Sequence, residues 1–492
     1  MKRRAVEPTG LGWRLGRSLT PRGVELWVRY DRTTGVYGAQ GSGKTLDLLA
    51  PALLAHPGPA MATLTKLDDL LLTLASRQAP VGGLGSDGPA RPVAVLDPFG
   101  MAPGVPELVW DPIAGCVDPM VAERRAKAFS AGTVTGAVAG GRADSAARFY
   151  AAETAKVLQG LFHAAALTGR TLEHVLEWVA NPVAAEQPAE ILRQHPHAAR
   201  FWDGLLSGAL HGSADTVGNT VTTVQQAMSL FFQPAIRARC VPSPGRPATD
   251  LAGVLSQGGT VYLLGREDPY ASASPLMTAL AEHILDTALR LANTSQWGRL
   301  CPPMLACLDE LPSTAPLPTL RTRMANERAL GISIIYAAQT WRQLAALFGD
   351  TEARAIFGLT NVLALFGGSK DIGFNMEVSD LVGTTRVTRT SWQLGGRGGR
   401  TASGEDMPIL RPEEIRQLPE RQTLLIAENT PPIIAKLRRC IDGKTGRELL
   451  DQRQLVRDRI SAQQRHQPGE GARASAALAA ARKHSLLDEP GE

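Results

Sequence analysis

Along most of the chain, short apolar runs alternate with stretches of helical periodicity, the pattern of a parallel sheet covered by helices. The first run ends at Gly35-Val36-Tyr37 and opens into a glycine-rich turn. Further strands are predicted at Met61 to Thr65, Pro92 to Leu96, Thr260 to Leu264, Met304 to Leu308, Ile332 to Ala337, Val362 to Phe366, Thr423 to Ala427 and Ile433 to Leu437. A long gap divides these strands into two clusters. Between Asp118 and Asp250 the chain is rich in Ala, Leu, Gln and Arg, with apolar positions at helical spacing such as Ala155, Leu158, Phe162 and Ala165. The pattern therefore predicts a sheet domain in two parts, 33–118 and 250–440, split by an all-α insertion at 119–249. A basic arm over 1–32 precedes it, and a charged tail over 441–492, read as a helix with a frayed end, follows.

A chain of 492 residues with 44% apolar and 20% charged side chains can bury a large core, enough for two or three folded units. Its formal net charge of +5 is too small to make the whole surface a nucleic-acid binder. The charge is concentrated instead, with eight basic groups against three acids in residues 1–32. That arm is either a solvated, partly disordered terminus or a docking arm for phosphates or anionic lipid. Cys116, Cys240, Cys301, Cys307 and Cys440 form no Cys-x-x-Cys pair, which fits reduced thiols in a cytoplasm. Nine histidines show no metal-ligand spacing, so no structural zinc is expected. No apolar run approaches the roughly 20 residues that cross a bilayer, and the N-terminus lacks a signal-peptide core. A cytoplasmic location is expected, with any attachment to the inner face of the cell membrane made through a partner.

The segment Gly38-Ala39-Gln40-Gly41-Ser42-Gly43-Lys44-Thr45 fits G-x-x-x-x-G-K-[ST] and sits between a predicted strand and a predicted helix. Gly38, Gly41, Ser42 and Gly43 let backbone N–H groups turn around phosphates, and the following helix N-terminus adds its positive end. Lys44 is placed to bridge the β- and γ-phosphates and Thr45 to offer its hydroxyl to Mg²⁺, so ATP and Mg²⁺ are the expected ligands. Such a site also needs an acid for the metal and another for the attacking water. Asp309 and Glu310 follow the apolar run Met304 to Leu308, where a parallel sheet presents its ligands, and are assigned to the Mg²⁺ shell and to general base catalysis. Gln339, at the end of the next predicted strand, is either a reporter beside the γ-phosphate or a cap before Thr340. Arg328 ends a predicted helix at the domain edge and is either solvated or, in a ring, an arginine finger for the neighbour's phosphates. From Ser391 to Pro408 the chain is glycine-rich without apolar periodicity, which predicts a mobile loop. Arg386, Arg389, Arg397 and Arg400 either remain solvated there or track nucleic-acid phosphates, and Trp392 either stacks on a base or anchors the loop.

Five strings carry a resemblance: L-D-E-L-P, N-E-R-A-L-G-I-S-I-I-Y-A-A-Q-T-W-R-Q-L-A-A-L-F-G, A-I-F-G, L-A-L-F-G-G and P-I-L-R-P-E-E-I-R-Q-L-P-E-R-Q-T-L-L-I-A-E-N-T-P-P-I. Together with the phosphate loop they resemble the TraG-like type IV coupling proteins of conjugation and type IV secretion over about residues 33 to 440. The resemblance implies an α/β, RecA-like P-loop NTPase with a mostly parallel central sheet and an inserted all-α domain. It further implies a homo-hexamer that couples ATP hydrolysis to recruitment or translocation of DNA, single-stranded and bound nonspecifically, or of a relaxase–DNA complex. On the same terms Lys44, Thr45, Asp309 and Glu310 match the ATP site, Arg328 the trans-acting arginine and Gln339 the strand-end glutamine. Members of the family usually begin with transmembrane helices, whereas about 37 residues precede the loop here. A separate membrane-anchoring or type IV secretion subunit is therefore an expected partner. Three readings are compatible with the residues: a DNA-coupling ATPase, a protein-secretion ATPase, and a nucleotide-gated recruitment platform.

Overall fold

The computed structural model describes residues 8–79, 90–134, 145–184, 186–265, 272–392 and 400–466. Its strands, in chain order, are β1 (Gly12–Ser18), β2 (Glu25–Arg29), β3 (Thr34–Tyr37), β4 (Ala60–Leu64), β5 (Val93–Leu96), β6 (Thr260–Leu264), β7 (Met304–Leu308), β8 (Ile332–Ala338), β9 (Val362–Phe366), β10 (Thr384–Trp392), β11 (Arg400–Pro408), β12 (Gln422–Ala427) and β13 (Ile433–Lys436). Eleven of them form one sheet in the order β2-β1-β13-β12-β9-β3-β8-β7-β4-β6-β5. The seven strands from β9 to β5 pair in parallel, and β12, β13, β1 and β2 extend the sheet antiparallel. β3 to β9 are buried at every position, as strands covered by helices on both faces must be, which is why they stand out as unbroken apolar runs.

Between β5 and β6 the chain is helical, with helices at Pro119–Ala131, Ser145–Leu167, Leu172–Ala180, Glu186–Gln194, Trp202–Leu210, Ala214–Met228 and Pro234–Cys240, followed by Leu251–Ser256. The long helix Ser145–Leu167 buries Val157, Leu158, Leu161, Phe162 and Ala165 on the face that the sequence period marks. Phe129 packs against Trp110, Phe162 and Phe231, with ring centroids 5.7 to 6.2 Å apart. Trp110 also donates from Nε1 to His283 Nδ1 at 2.8 Å, which ties this cluster to helix Ser274–Thr294 beside the sheet. One continuous core thus runs from the helices onto one face of the sheet, and a second core fills the opposite face.

Two expectations change. From residue 8 onward the basic arm is part of the fold, because β1 and β2 form a hairpin whose first strand pairs with β13. Trp13, Leu15 and Val28 point into the second core while Arg14 and Arg17 face out, so the arginines mask a half-buried strand. Lys2, Arg3, Arg4 and Glu7 lie outside the described residues. The segment Ser391 to Pro408 is not simply a loop: β10 and β11 pair from Thr384↔Pro408 to Trp392↔Arg400. The β-branched Thr384, Thr385, Val387, Thr388 and Thr390 favour this extended ladder, a signal that the glycines obscured. Residues 393–399, including Arg397, lie outside the described residues, as does the tail at 467–492. Helix Gly443–His466 packs on helix Leu67–Gln78, with Ser76 Oγ donating to Gln452 Oε1 at 2.8 Å. Among the described residues no helix is long and apolar enough to cross a membrane.

Candidate nucleotide site

β3, the sixth of the eleven strands, delivers the chain to Gly38 with β9 on one side and β8 on the other. The turn that follows uses positive φ at Gly41 (77°) and Gly43 (94°), a region side chains rarely adopt. At Gly43 a Cβ would also lie 2.6 Å from Asp47 Oδ2, so that carboxylate would have to shift to admit a side chain. Lys44 is 8% exposed and curls back over the loop, its Nζ donating to Gly38 O at 2.6 Å and Ala39 O at 3.1 Å. Pro51 has no N–H to give to the preceding turn, and the helix starts with a π-type turn over Thr45–Leu49 before settling into Ala50–Ala55. Ser42 Oγ is buried and, among the described residues, has no hydrogen-bond partner.

The acids meet this loop across the sheet. β8 lies between β3 and β7, so the residues after β7 approach the loop from two strands away. Thr45 Oγ1 donates to Asp309 Oδ2 at 2.9 Å, which joins the loop to the acidic turn. Glu310 adopts a left-handed conformation (φ 50°, ψ 49°), which costs a non-glycine residue on the order of 1–3 kcal/mol. Two threonines hold that turn: Thr63 Oγ1 donates to Asp309 O at 3.1 Å, and Thr314 Oγ1 to the carbonyls of Asp309 and Glu310 at 3.0 Å each. Gln339 donates from Nε2 to Glu310 Oε1 at 3.1 Å. The cap of the next helix is made by Thr340 and Gln343, whose Oε1 accepts from the Gln339 and Thr340 amides at 3.0 and 3.3 Å, so the Gln339 side chain is left to the acid. Sequence reading missed Thr63, Thr314 and Gln343. Only the hydroxyl in the otherwise apolar run Ala60–Leu64 marked Thr63 in advance.

Electrostatically the site is a buried cation facing two carboxylates. Burial lowers the Lys44 pKa, opposed by Glu310 and Asp309. Burial likewise raises the Asp309 pKa, opposed by the Thr45 hydrogen bond and by Lys44. Hard oxygens on Thr45 and Asp309, a partnerless Ser42 hydroxyl and a glycine cradle together make a fitting receptacle for a phosphate chain and its Mg²⁺.

Arg328 lies apart from these groups, half-buried in the 3₁₀ turn Arg328–Leu330 that precedes β8. Its neighbour Arg323 is the buried one, held by Glu282 at 2.6 Å, Asp286 at 2.7 Å and Glu327 at 2.9 Å. Arg386 and Arg389 stand exposed on β10, where Arg389 pairs with Glu405 at 3.3 Å. The side chains of Trp392 and Arg400 lie outside the described residues.

Residues 303–420, which include β7, both acids, Gln339 and the β10–β11 hairpin, match a family model described as the TraM recognition site of TraD and TraG. A bacterial conjugative coupling protein, TrwBdeltaN70 in its unbound monoclinic form, superposes with a TM-score of 0.60 at 18% identity, covering 85% of this chain and 87% of that one. This chain has the coupling-protein fold. Forms of the plasmid coupling protein TrwB with the GTP analogue GDPNP (TM-score 0.59, 18% identity) and with ADP and Mg²⁺ (0.58, 17%) align over 83% of this chain and 86% and 85% of theirs. Curated protein sequences give no match. The resemblance to the type IV coupling proteins thus holds both in a matched segment and in the coupling-protein fold.

Proposed function

We propose that the chain is a Mg²⁺-dependent ATPase of the type IV coupling class, which couples hydrolysis to recruitment or translocation of DNA or a relaxase–DNA complex. The observation that carries this reading is the meeting of Lys44, Thr45, Asp309, Glu310 and Gln339 at one sheet edge. Gly38, Gly41, Ser42, Gly43 and Lys44 bind the phosphate chain, for which Lys44 exchanges its two backbone carbonyls for phosphate oxygens. Thr45 and Asp309 hold Mg²⁺, which when bound neutralises charge on the phosphates. Glu310 takes the proton of the attacking water, oriented for that role by Gln339 and by the threonine-braced turn. Arg328 acts in trans, from a neighbouring subunit of a homo-hexamer.

The ligands held by the TrwB forms, a GTP analogue and ADP with Mg²⁺, support the nucleotide assignment. The TraM-recognition description of residues 303–420 supports a partner drawn from the DNA-processing complex. Turnover of ATP by the purified chain, with and without short single-stranded DNA and read beside its mass in solution, tests this reading. Stimulation by DNA together with a hexamer-sized species is expected, whereas turnover indifferent to DNA points to a polypeptide cargo.

A further inference from the structure

The buried Arg323, on helix Leu320–Asn326, engages its partners through all three guanidinium nitrogens. Nε donates to Thr319 Oγ1 at 2.6 Å and to Glu282 Oε2 at 3.1 Å, Nη1 to Glu327 Oε1 at 2.9 Å, and Nη2 to Glu282 Oε2 at 2.6 Å and Asp286 Oδ1 at 2.7 Å. Glu282 and Asp286 come from helix Ser274–Thr294, so the cluster joins two helices. Stability does not explain such a cluster. Ion pairs taken out of water lose hydration that their attraction does little more than offset, and apolar side chains of similar volume often serve as well. Here, moreover, three acids face one arginine, and Glu327 Oε2 is buried without, among the described residues, a hydrogen-bond partner. What the planar guanidinium fork does supply is a fixed angle between the groups it joins.

The element so fixed is the turn that carries Arg328. Glu327, the residue before it, is held by backbone and side chain together: its amide donates to Arg323 O at 2.8 Å, its Oε1 accepts from Arg323, and its carbonyl accepts from the Leu330 and Ile332 amides at 2.9 and 3.2 Å. The far end of the turn closes at Gly331 (φ 80°), where a Cβ would lie 2.5 Å from Leu300 O. Arg328 itself is half-buried and, among the described residues, has no ion-pair partner. Its adjacent acid is already taken, because Glu327 pairs with Arg323. One arginine thus saturates the local acids and anchors the turn, while the other stays available.

We propose that Arg323 is a positioning residue for Arg328: clamped by Glu282, Asp286 and Glu327, it sets the turn from which Arg328 reaches the neighbouring subunit's nucleotide and keeps Glu327 from capturing that arginine. The proposal rests on the trans-acting role given to Arg328 above. A double-mutant cycle on steady-state ATP turnover of the full chain tests it, with Arg323→Lys made in the wild-type and in the Arg328→Ala background. Lysine keeps the charge, but its single nitrogen cannot span three acids. Arg323→Lys is expected to lower kcat by about tenfold or more in the wild-type background with KM within about twofold, and to leave the residual turnover of Arg328→Ala unchanged within about twofold. Glu327→Gln, which keeps the side-chain shape, goes through the same cycle with the same expectation should Arg323→Lys fail to fold. Full turnover by the Arg323 variant, or an equal loss in both backgrounds, overturns the proposal, the second because a purely structural defect ignores whether Arg328 is present. Full turnover by Arg328→Ala alone removes the trans-acting assignment and this proposal with it, whereas an impaired Arg328→Ala beside a fully active Arg323→Lys overturns the proposal only.

Discussion

In the parallel half of the sheet, β3, β8 and β7 are buried along their whole length and deliver Lys44, Gln339 and Asp309 to one edge. In the antiparallel half, β1 alternates buried and exposed residues and turns Arg14 and Arg17 outward. The contrast shows where each kind of chemistry is affordable in this fold. On the proposed reading, the groups that act on a phosphate chain sit at the ends of fully covered strands, where neighbouring strands fix them and shield them from water. Groups that merely offer charge sit on a strand with one wet face.

The most severe way to break the comparison is Lys44→Ala, which is expected to abolish nucleotide binding at the phosphate loop, and with it turnover, while leaving the fold intact. Binding measured with a fluorescent ATP analogue checks it. Glu310→Gln is expected to lower turnover by about 10²–10⁴-fold with ATP affinity kept, because only the proton acceptor is lost. Arg328→Ala should cost about 10³-fold, and mixing it with Glu310→Gln subunits should restore some activity if the arginine serves a neighbour. Trp13→Ala probes the other half: truncating this buried ring should cost about 3–5 kcal/mol of stability, read by denaturant unfolding, with ATP affinity little changed.

A smaller effect concerns His56, which follows the P-loop helix and donates from Nε2 to Pro303 O at 2.7 Å. Burial, reinforced by Arg77, pushes its pKa down to about 3 from an ordinary 6.5. The unfolded chain therefore takes up a proton near pH 6.5 that the folded chain refuses until about pH 3. The contribution of His56 is complete above pH 6.5 and is lost as pH falls toward 3, at up to about 1.4 kcal/mol per pH unit. Comparing wild type with His56→Gln across that range isolates the slope. Smallest of all, Arg386→Ala with Arg389→Ala should leave basal turnover within about twofold, as exposed charges contribute little, and should reduce only its stimulation by DNA.

Legibility in the sequence followed the same division. The parallel strands could be read because burial on both faces leaves an unbroken apolar run, so that β6, β7 and β9 begin and end at the predicted residues. Lys44 and the two acids followed from what lies at the ends of those runs. β1 escaped because its exposed positions are arginines, and β10 because a glycine-rich stretch follows it. The braces of the acidic turn escaped for a different reason. Thr63 reaches Asp309 across 246 positions of sequence, and only the strand order, β4 beside β7, brings them together.

The central claim is that Lys44, Asp309 and Glu310 form one hydrolytic site. Its most direct test is single-turnover hydrolysis of ATP with Mg²⁺ by wild type and Glu310→Gln, each saturated with nucleotide. Wild type should release phosphate while Glu310→Gln holds ATP uncleaved, and equal cleavage by the two proteins would contradict the account.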